Sequence, residues 1–251
     1  MNEPARPSRR RFFKAAGAAG VASAVPAAAS AQQHAPAHAE TYLFFNPAEA
    51  AFIEAAVARL IPKDETGPGA MEAGVPAYLD RQLAGAWGTG ERLYRSGPWR
   101  EGTPSQGYQL PFTPQELFRN AIRALNERHG DFVKLAPQEQ DKFLDSLHSS
   151  KEDLGGVPAS VFFESLLEAT IEGFFSDPAH GGNRDMVAWK MIGFPGAYAD
   201  FYELVDQHGL AYNSAPTSLA EDGRGRIHIH PVAHTGASSS AGGGRAPAKE
   251  R

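Results

Sequence analysis

Asn46-Pro47-Ala48-Glu49-Ala50-Ala51-Phe52-Ile53-Glu54-Ala55-Ala56-Val57-Ala58-Arg59-Leu60 decides the fold class of this chain. Asn46 is placed to cap a helix N-terminus. Pro47 stands at the first helical position, where a missing N–H is harmless, and Glu49 stands where a carboxylate reaches back to the cap. Phe52, Ile53, Ala56, Val57 and Leu60 then recur at three- and four-residue spacing, which makes one apolar stripe. Pro62 ends the helix.

The same grammar recurs downstream. After the Gly67-Pro68-Gly69 turn, Val75-Pro76 opens a short helix carrying Leu79 and Leu83. Thr113-Pro114-Gln115-Glu116 repeats the start signal, followed by Leu117, Phe118, Ala121, Ile122 and Leu125 and a basic end at Arg128-His129-Gly130. Residues 137–147 form a further amphipathic stretch with Phe143, Leu144 and Leu147 inward. The most apolar helix spans 158–175, where Val161, Phe162, Leu166, Leu167, Thr170, Ile171, Phe174 and Phe175 cover more than one face and predict a central position. Short helices are expected over 184–192 and 198–208. No alternating strand pattern of useful length and no internal repeat is present, so the expectation is an all-α, single irregular helical domain with long loops.

Outside that domain lie two segments of different composition. Ser8-Arg9-Arg10-Arg11-Phe12-Phe13-Lys14 precedes an Ala/Gly/Val run that closes on Ala29-Ser30-Ala31. Paired arginines, a weakly apolar core and a small-x-small cleavage site are the marks of a twin-arginine (Tat) signal, with Arg9 and Arg10 as its reading element. That route exports proteins already folded, so the expected location is the periplasm and the Tat translocon is an expected partner. The expected organisation is a signal over 1–31, a linker over 32–43, the helical domain over 44–215 and a flexible Gly/Ser/Ala/Pro-rich tail over 216–251.

Composition excludes several functions. Of 251 residues, 42% are hydrophobic, enough for a core. Residues 1–31 hold Arg6, Arg9, Arg10, Arg11 and Lys14 against Glu3, so loss of the leader leaves 19 basic and 28 acidic residues, a net charge of −9. An acidic mature chain argues against nucleic acid as partner. The absence of cysteine removes disulfides, iron–sulfur ligation, Cys-x-x-Cys-His haem attachment and thiol catalysis. Gly88-Thr89-Gly90 lacks the third glycine and the βαβ setting of a dinucleotide site.

One segment carries a family likeness: Phe174-Phe175-Ser176-Asp177-Pro178-Ala179-His180-Gly181-Gly182-Asn183-Arg184-Asp185-Met186-Val187-Ala188-Trp189-Lys190-Met191-Ile192-Gly193-Phe194-Pro195-Gly196. With Phe45-Asn46-Pro47, Gly67-Pro68-Gly69-Ala70 and Val75-Pro76 in the same order, it resembles the small subunit of gluconate 2-dehydrogenase (subunit 3 family), over most of residues 44–215. The resemblance implies a non-catalytic subunit with no cofactor of its own. Its partners would be a large subunit carrying FAD and a multihaem cytochrome c (haem c) third subunit, with membrane association only through them. The small subunit would stabilise the flavin subunit and supply its export signal.

Candidate contact residues fall into two groups. Trp87, Tyr94, Trp99 and Tyr108 lie in the irregular 85–111 stretch with Arg92, Arg95 and Arg100. Aromatics and arginines are the residues that carry interface energy, and they equally serve to pack a long loop. Asp177, His180, Asn183, Arg184, Asp185 and Trp189 form the second group. Asp177, His180 and Asp185 could instead make a metal or acid–base site, and His228-x-His230 with His234 could grip a transition metal. The alternative function is therefore a stand-alone periplasmic metal-dependent enzyme or a binding module.

Overall fold

Phe162 marks the centre of the molecule: it is fully buried, with Phe52 at 6.2 Å and Phe118 at 5.6 Å between ring centroids. Those three rings come from three helices, so each apolar stripe of the sequence meets the others at one point. The structure is a computed structural model that describes residues 41–91, 93–100, 102–103, 109–129, 131–198, 201–210, 212 and 214–232. All of them fall in one compact unit. The Tat signal, Arg9 and Arg10, the Gly130 cap, Arg92, Tyr108 and His234 lie outside the described residues.

Seven α-helices make the described body: α1 (Pro47–Leu60), α2 (Val75–Ala84), α3 (Ala86–Thr89), α4 (Pro114–His129), α5 (Pro137–Ser149), α6 (Ala159–Phe175) and α7 (Val187–Ile192). Short 3₁₀ turns lie at Phe132–Lys134, Pro178–His180, Arg184–Met186 and Tyr202–Leu204. No β-strand occurs among the described residues, only isolated bridges. None of the described helices is long and apolar enough to cross a membrane. The fold is all-α, as the sequence predicts.

The N-terminal caps read at Asn46 and Thr113 are formed. Asn46 Oδ1 accepts from the Ala48 and Glu49 N–H groups at 3.0 Å, and Glu49 Oε2 accepts from the Asn46 N–H at 3.0 Å. At α4, Glu116 accepts from the Thr113 N–H at 2.7 Å and donates its own N–H to Thr113 Oγ1. These bonds satisfy N–H groups that no helix can satisfy internally. α6 packs against α1, α2, α4, α5 and α7 and is the central helix. Its outer edge is open: Ile171 and Phe175, expected inside, are exposed.

Two expected elements differ. Residues 198–208 form only the Tyr202–Leu204 turn among the described positions. Phe201, Tyr202 and Val205 are exposed and find no helical face to bury against, while Tyr198, Phe201 and Tyr212 pack their rings on one another. A short helix without tertiary burial does not hold itself together in water. The helix expected over 184–192 is divided, because Asp185 and Met186 take positive φ and regular helix starts only at Val187.

Candidate functional site

The signature segment builds a compact loop at the end of α6. Asp177 caps the Pro178–His180 turn, its Oδ1 accepting from the Ala179 N–H at 2.9 Å. Gly181 follows at φ 95°, a conformation that favours glycine. Gly182 then passes so close to the Gly173 carbonyl that any Cβ there would collide with it. Glycine is required at this pair, one for direction and one for approach.

Asn183 is the keystone of the loop and is fully buried. Its N–H donates to Gly173 O (3.0 Å), its Nδ2 to Ser176 O (3.0 Å), and its Oδ1 accepts from the Ala188 N–H (2.9 Å). It therefore ties the last turn of α6 to the first turn of α7. Trp189 is also buried and donates Nε1–H to Phe175 O at 2.8 Å. Both residues were expected on a partner footprint. In the structure their polar atoms serve the loop, because a buried amide or indole N–H must be paired inside. Arg184 and Asp185 stand exposed on the same loop, and the Arg184 N–H donates to Ala73 O at 2.9 Å. Asn183, Asp185 and Met186 all have φ between 43° and 56°. Such strain is held only where the surroundings over-determine it.

Residues 214–232, mostly within the segment expected as a tail, return to this loop. Ser218, buried, donates Oγ–H to Asp177 Oδ1 at 2.6 Å, and the Leu219 N–H donates to Oδ2 at 2.9 Å. Burial alone would push the Asp177 carboxyl up. The hydrogen bonds from Ser218, Leu219 and Ala179, with His180 nearby, outweigh burial and hold it below the ordinary carboxylate range. His180 meets not Asp185 but His230, ring to ring at 5.6 Å. His228 turns away to Asp222, at 3.0 Å. The His-x-His pair thus divides between two neighbours, and among the described residues no three His, Asp or Glu side chains converge on a point that could hold a metal.

A cleft of about 370 Å³ lies beside this loop, with Asp80, Arg81, Arg184 and Asp185 on its polar side and Leu43, Ile227 and Ile229 on its apolar side. Asp80 is the residue that sequence reading passed over. It is buried on α2, and its carboxylate accepts from the N–H groups of Leu43 (2.7 Å), Phe44 (2.8 Å) and Phe45 (3.0 Å). Its signal was legible: an acid four residues after Pro76 and three before Leu83 shares their inward face. Asp80 fixes the chain as it enters α1. Arg119 adds to that clamp, donating Nη2–H to Phe44 O at 2.7 Å and lying 4.2 Å over the Phe44 ring.

The other candidate group is separate. Arg95 pairs with Glu116 at 3.5 Å, and Arg95, Tyr94 and Trp99 line a small cleft of about 130 Å³ with Leu93 and Phe112. Trp87 lies on α3, half exposed, outside that cleft. The two clefts share no residue.

The exposed apolar residues of the signature region are Phe175, Met191, Ile192 and Phe194. Phe194 packs edge-on against Trp189 at 5.2 Å, so it is held in place and still faces solvent. Searches of curated proteins and of solved structures find no match to the chain. A sequence model of the family described as gluconate 2-dehydrogenase subunit 3 matches residues 47–196, from the first residue of α1 to the glycine that closes the signature segment. That span takes in all seven described helices, Asp80 and the strained loop alike, and with more than half of its length matched, this chain belongs to the gluconate 2-dehydrogenase subunit 3 family.

Proposed function

We propose that this chain is the non-catalytic small subunit of a periplasmic FAD-dependent dehydrogenase complex. It stabilises the flavin subunit and supplies its Tat export signal. The family match carries the reading: it makes the chain a subunit of a gluconate 2-dehydrogenase-like complex. The finer roles rest on two further supports. The Ser8–Lys14 leader is of the kind that exports folded cargo, and an exporter of folded pairs needs a signal on only one member. The exposed Phe175, Met191, Ile192 and Phe194 offer apolar surface of the sort that marks protein contacts.

On this reading FAD belongs to the large subunit, and a haem c subunit receives its electrons. The small subunit contributes surface and address, not chemistry. The test is affinity capture of the tagged chain from its host, with the flavin absorbance of the eluate recorded. A yellow eluate containing a large second polypeptide with dye-linked dehydrogenase activity is expected. A colourless lone chain would sink the reading. Arg9→Lys with Arg10→Lys is expected to leave both polypeptides in the cytoplasm, and normal export of the flavin subunit in that variant would refute the carrier role.

A further inference from the structure

Residues 217–232 lie beyond the family match and still reach back over it. Thr217 runs parallel to the end of the signature segment, donating its N–H to Pro195 O (3.1 Å) and accepting from the Ala197 N–H (2.8 Å). Ser218 and Leu219 then engage both oxygens of Asp177. The chain reverses and comes back alongside itself, with Glu221 bridged to Ile227. On the return arm the His230 N–H donates to Ala179 O at 2.8 Å, and Arg81 reaches the His230 carbonyl at 3.5 Å.

The hairpin is bonded internally as well. The Asp222 N–H donates to Arg226 O (2.8 Å) and the His228 N–H to Ala220 O (2.9 Å). Asp222 accepts from the N–H groups of Arg224 and Arg226 and holds the Arg226 and His228 side chains at 3.0 Å. Its attachment to the body is of another kind. Ser218 is the one residue of the hairpin that is buried among the described residues, Leu219 is 79% exposed, and no hairpin side chain enters the hydrophobic core. A unit with its own bonds, little apolar burial and a few polar anchors opens before the body does.

We propose that residues 217–232 are a clasp that opens as one unit while the helices stay folded. Opening uncovers a strip of acceptors on the family module, the Asp177 carboxylate and the Ala179 carbonyl. The clasp itself shows what fits that strip: a hairpin offering a hydroxyl and the next backbone N–H from its outgoing arm and a second N–H from its return arm. Its occupant in the closed state is this chain's own extension.

Amide hydrogen exchange on the full mature chain tests this. The amides of Leu219, His228 and His230 are expected to exchange together, about 100-fold faster than those of Leu166 and Thr170 in α6. Ser218→Ala is expected to speed all three by about tenfold or more and to leave α6 unchanged. Asp177→Asn, which keeps a good cap for the Pro178–His180 turn, is expected to do the same. Clasp amides as slow as those of α6 in the unmodified chain would overturn the proposal. So would a Ser218→Ala effect confined to Leu219 with His230 unmoved. As a second arm, a labelled peptide of residues 215–232 is expected to bind the Ser218→Ala chain more tightly than the unmodified one. Equal binding to both would refute the strip as a docking surface, whether or not a flavin subunit is ever found.

Discussion

The helical body and the loop–clasp region are held by different forces. Between Pro47 and Phe175, stability comes from apolar burial around Phe162, with caps and the buried carboxylates of Glu49 and Asp80 closing the exposed backbone. From Asp177 to Val232, beyond the inward packing of Ala179, Ala188 and Trp189, it comes from polar anchors: Asn183 beneath the loop and Asp177 beneath the clasp. Burial is non-directional and tolerates adjustment. Polar anchoring is directional and fails when one donor or acceptor goes. The body is therefore expected to respond globally to core changes, and the loop–clasp region to respond locally to polar ones.

The largest effect expected is in the body. Phe162→Ala removes the ring shared by α1, α4 and α6 and should cost about 3–5 kcal/mol in denaturant unfolding. A loss below about 1 kcal/mol would mean that the three helices do not share a core. Asp80→Ala should come next. It strands three N–H groups at the entry to α1 and is expected to cost about 3 kcal/mol. If it is mild, the chain entry belongs with the clasp and not with the body.

In the strained loop the sign should reverse. Met186→Gly relieves a left-handed residue and is expected to raise stability by up to about 1 kcal/mol. Destabilisation would show that the Met186 side chain, half-buried, does more by packing than its backbone costs.

The smallest signals come from titration, and they sharpen the contrast at opposite ends of the pH scale. Burial pushes the Tyr78 hydroxyl up to about 12, and the Glu172 carboxylate beside it adds to the effect. An unfolded tyrosine titrates near 10. The protonated phenol therefore supports the α2–α6 contact fully below pH about 10, and that support is lost as pH rises through about 12. A late phenolate absorbance step near pH 12, absent in Tyr78→Phe, is the expected reading. Asp177 works in the other direction, because its carboxyl is held below the ordinary range. Its hold on the clasp is complete above about pH 3.9 and is lost as pH falls through the lowered value.

How legible each region was follows from the same difference. α1, α2, α4, α5 and α6 were readable because a cap, a stripe and a terminator lie within a few residues of each other, as in Asn46, Phe52 and Pro62. The family likeness was readable for the same local reason, since the glycines and Asn183 fall in one unbroken stretch. The roles of its residues were less so. Asn183 and Trp189 looked like surface candidates, because a polar or amphipathic side chain in a loop gives no sign of where its partner lies. Ile171 and Phe175 looked inward for the opposite reason: a wholly apolar helix does not say which edge the rest of the protein leaves open.

By itself, then, the sequence determined the all-α class, the limits of the longer helices α1, α2, α4, α5 and α6, the export leader as an expectation and the likeness to a subunit family. Each of these is written in neighbours along the chain. Tertiary structure alone decided that Asp80 would hold residues 43–45, that His230 would meet His180 and not His228, and that residues 217–232 would close over Asp177. These pairings span about 36 to 50 residues of chain. A local pattern carries no term for so long a loop, and only the packed helices bring the partners within hydrogen-bonding reach.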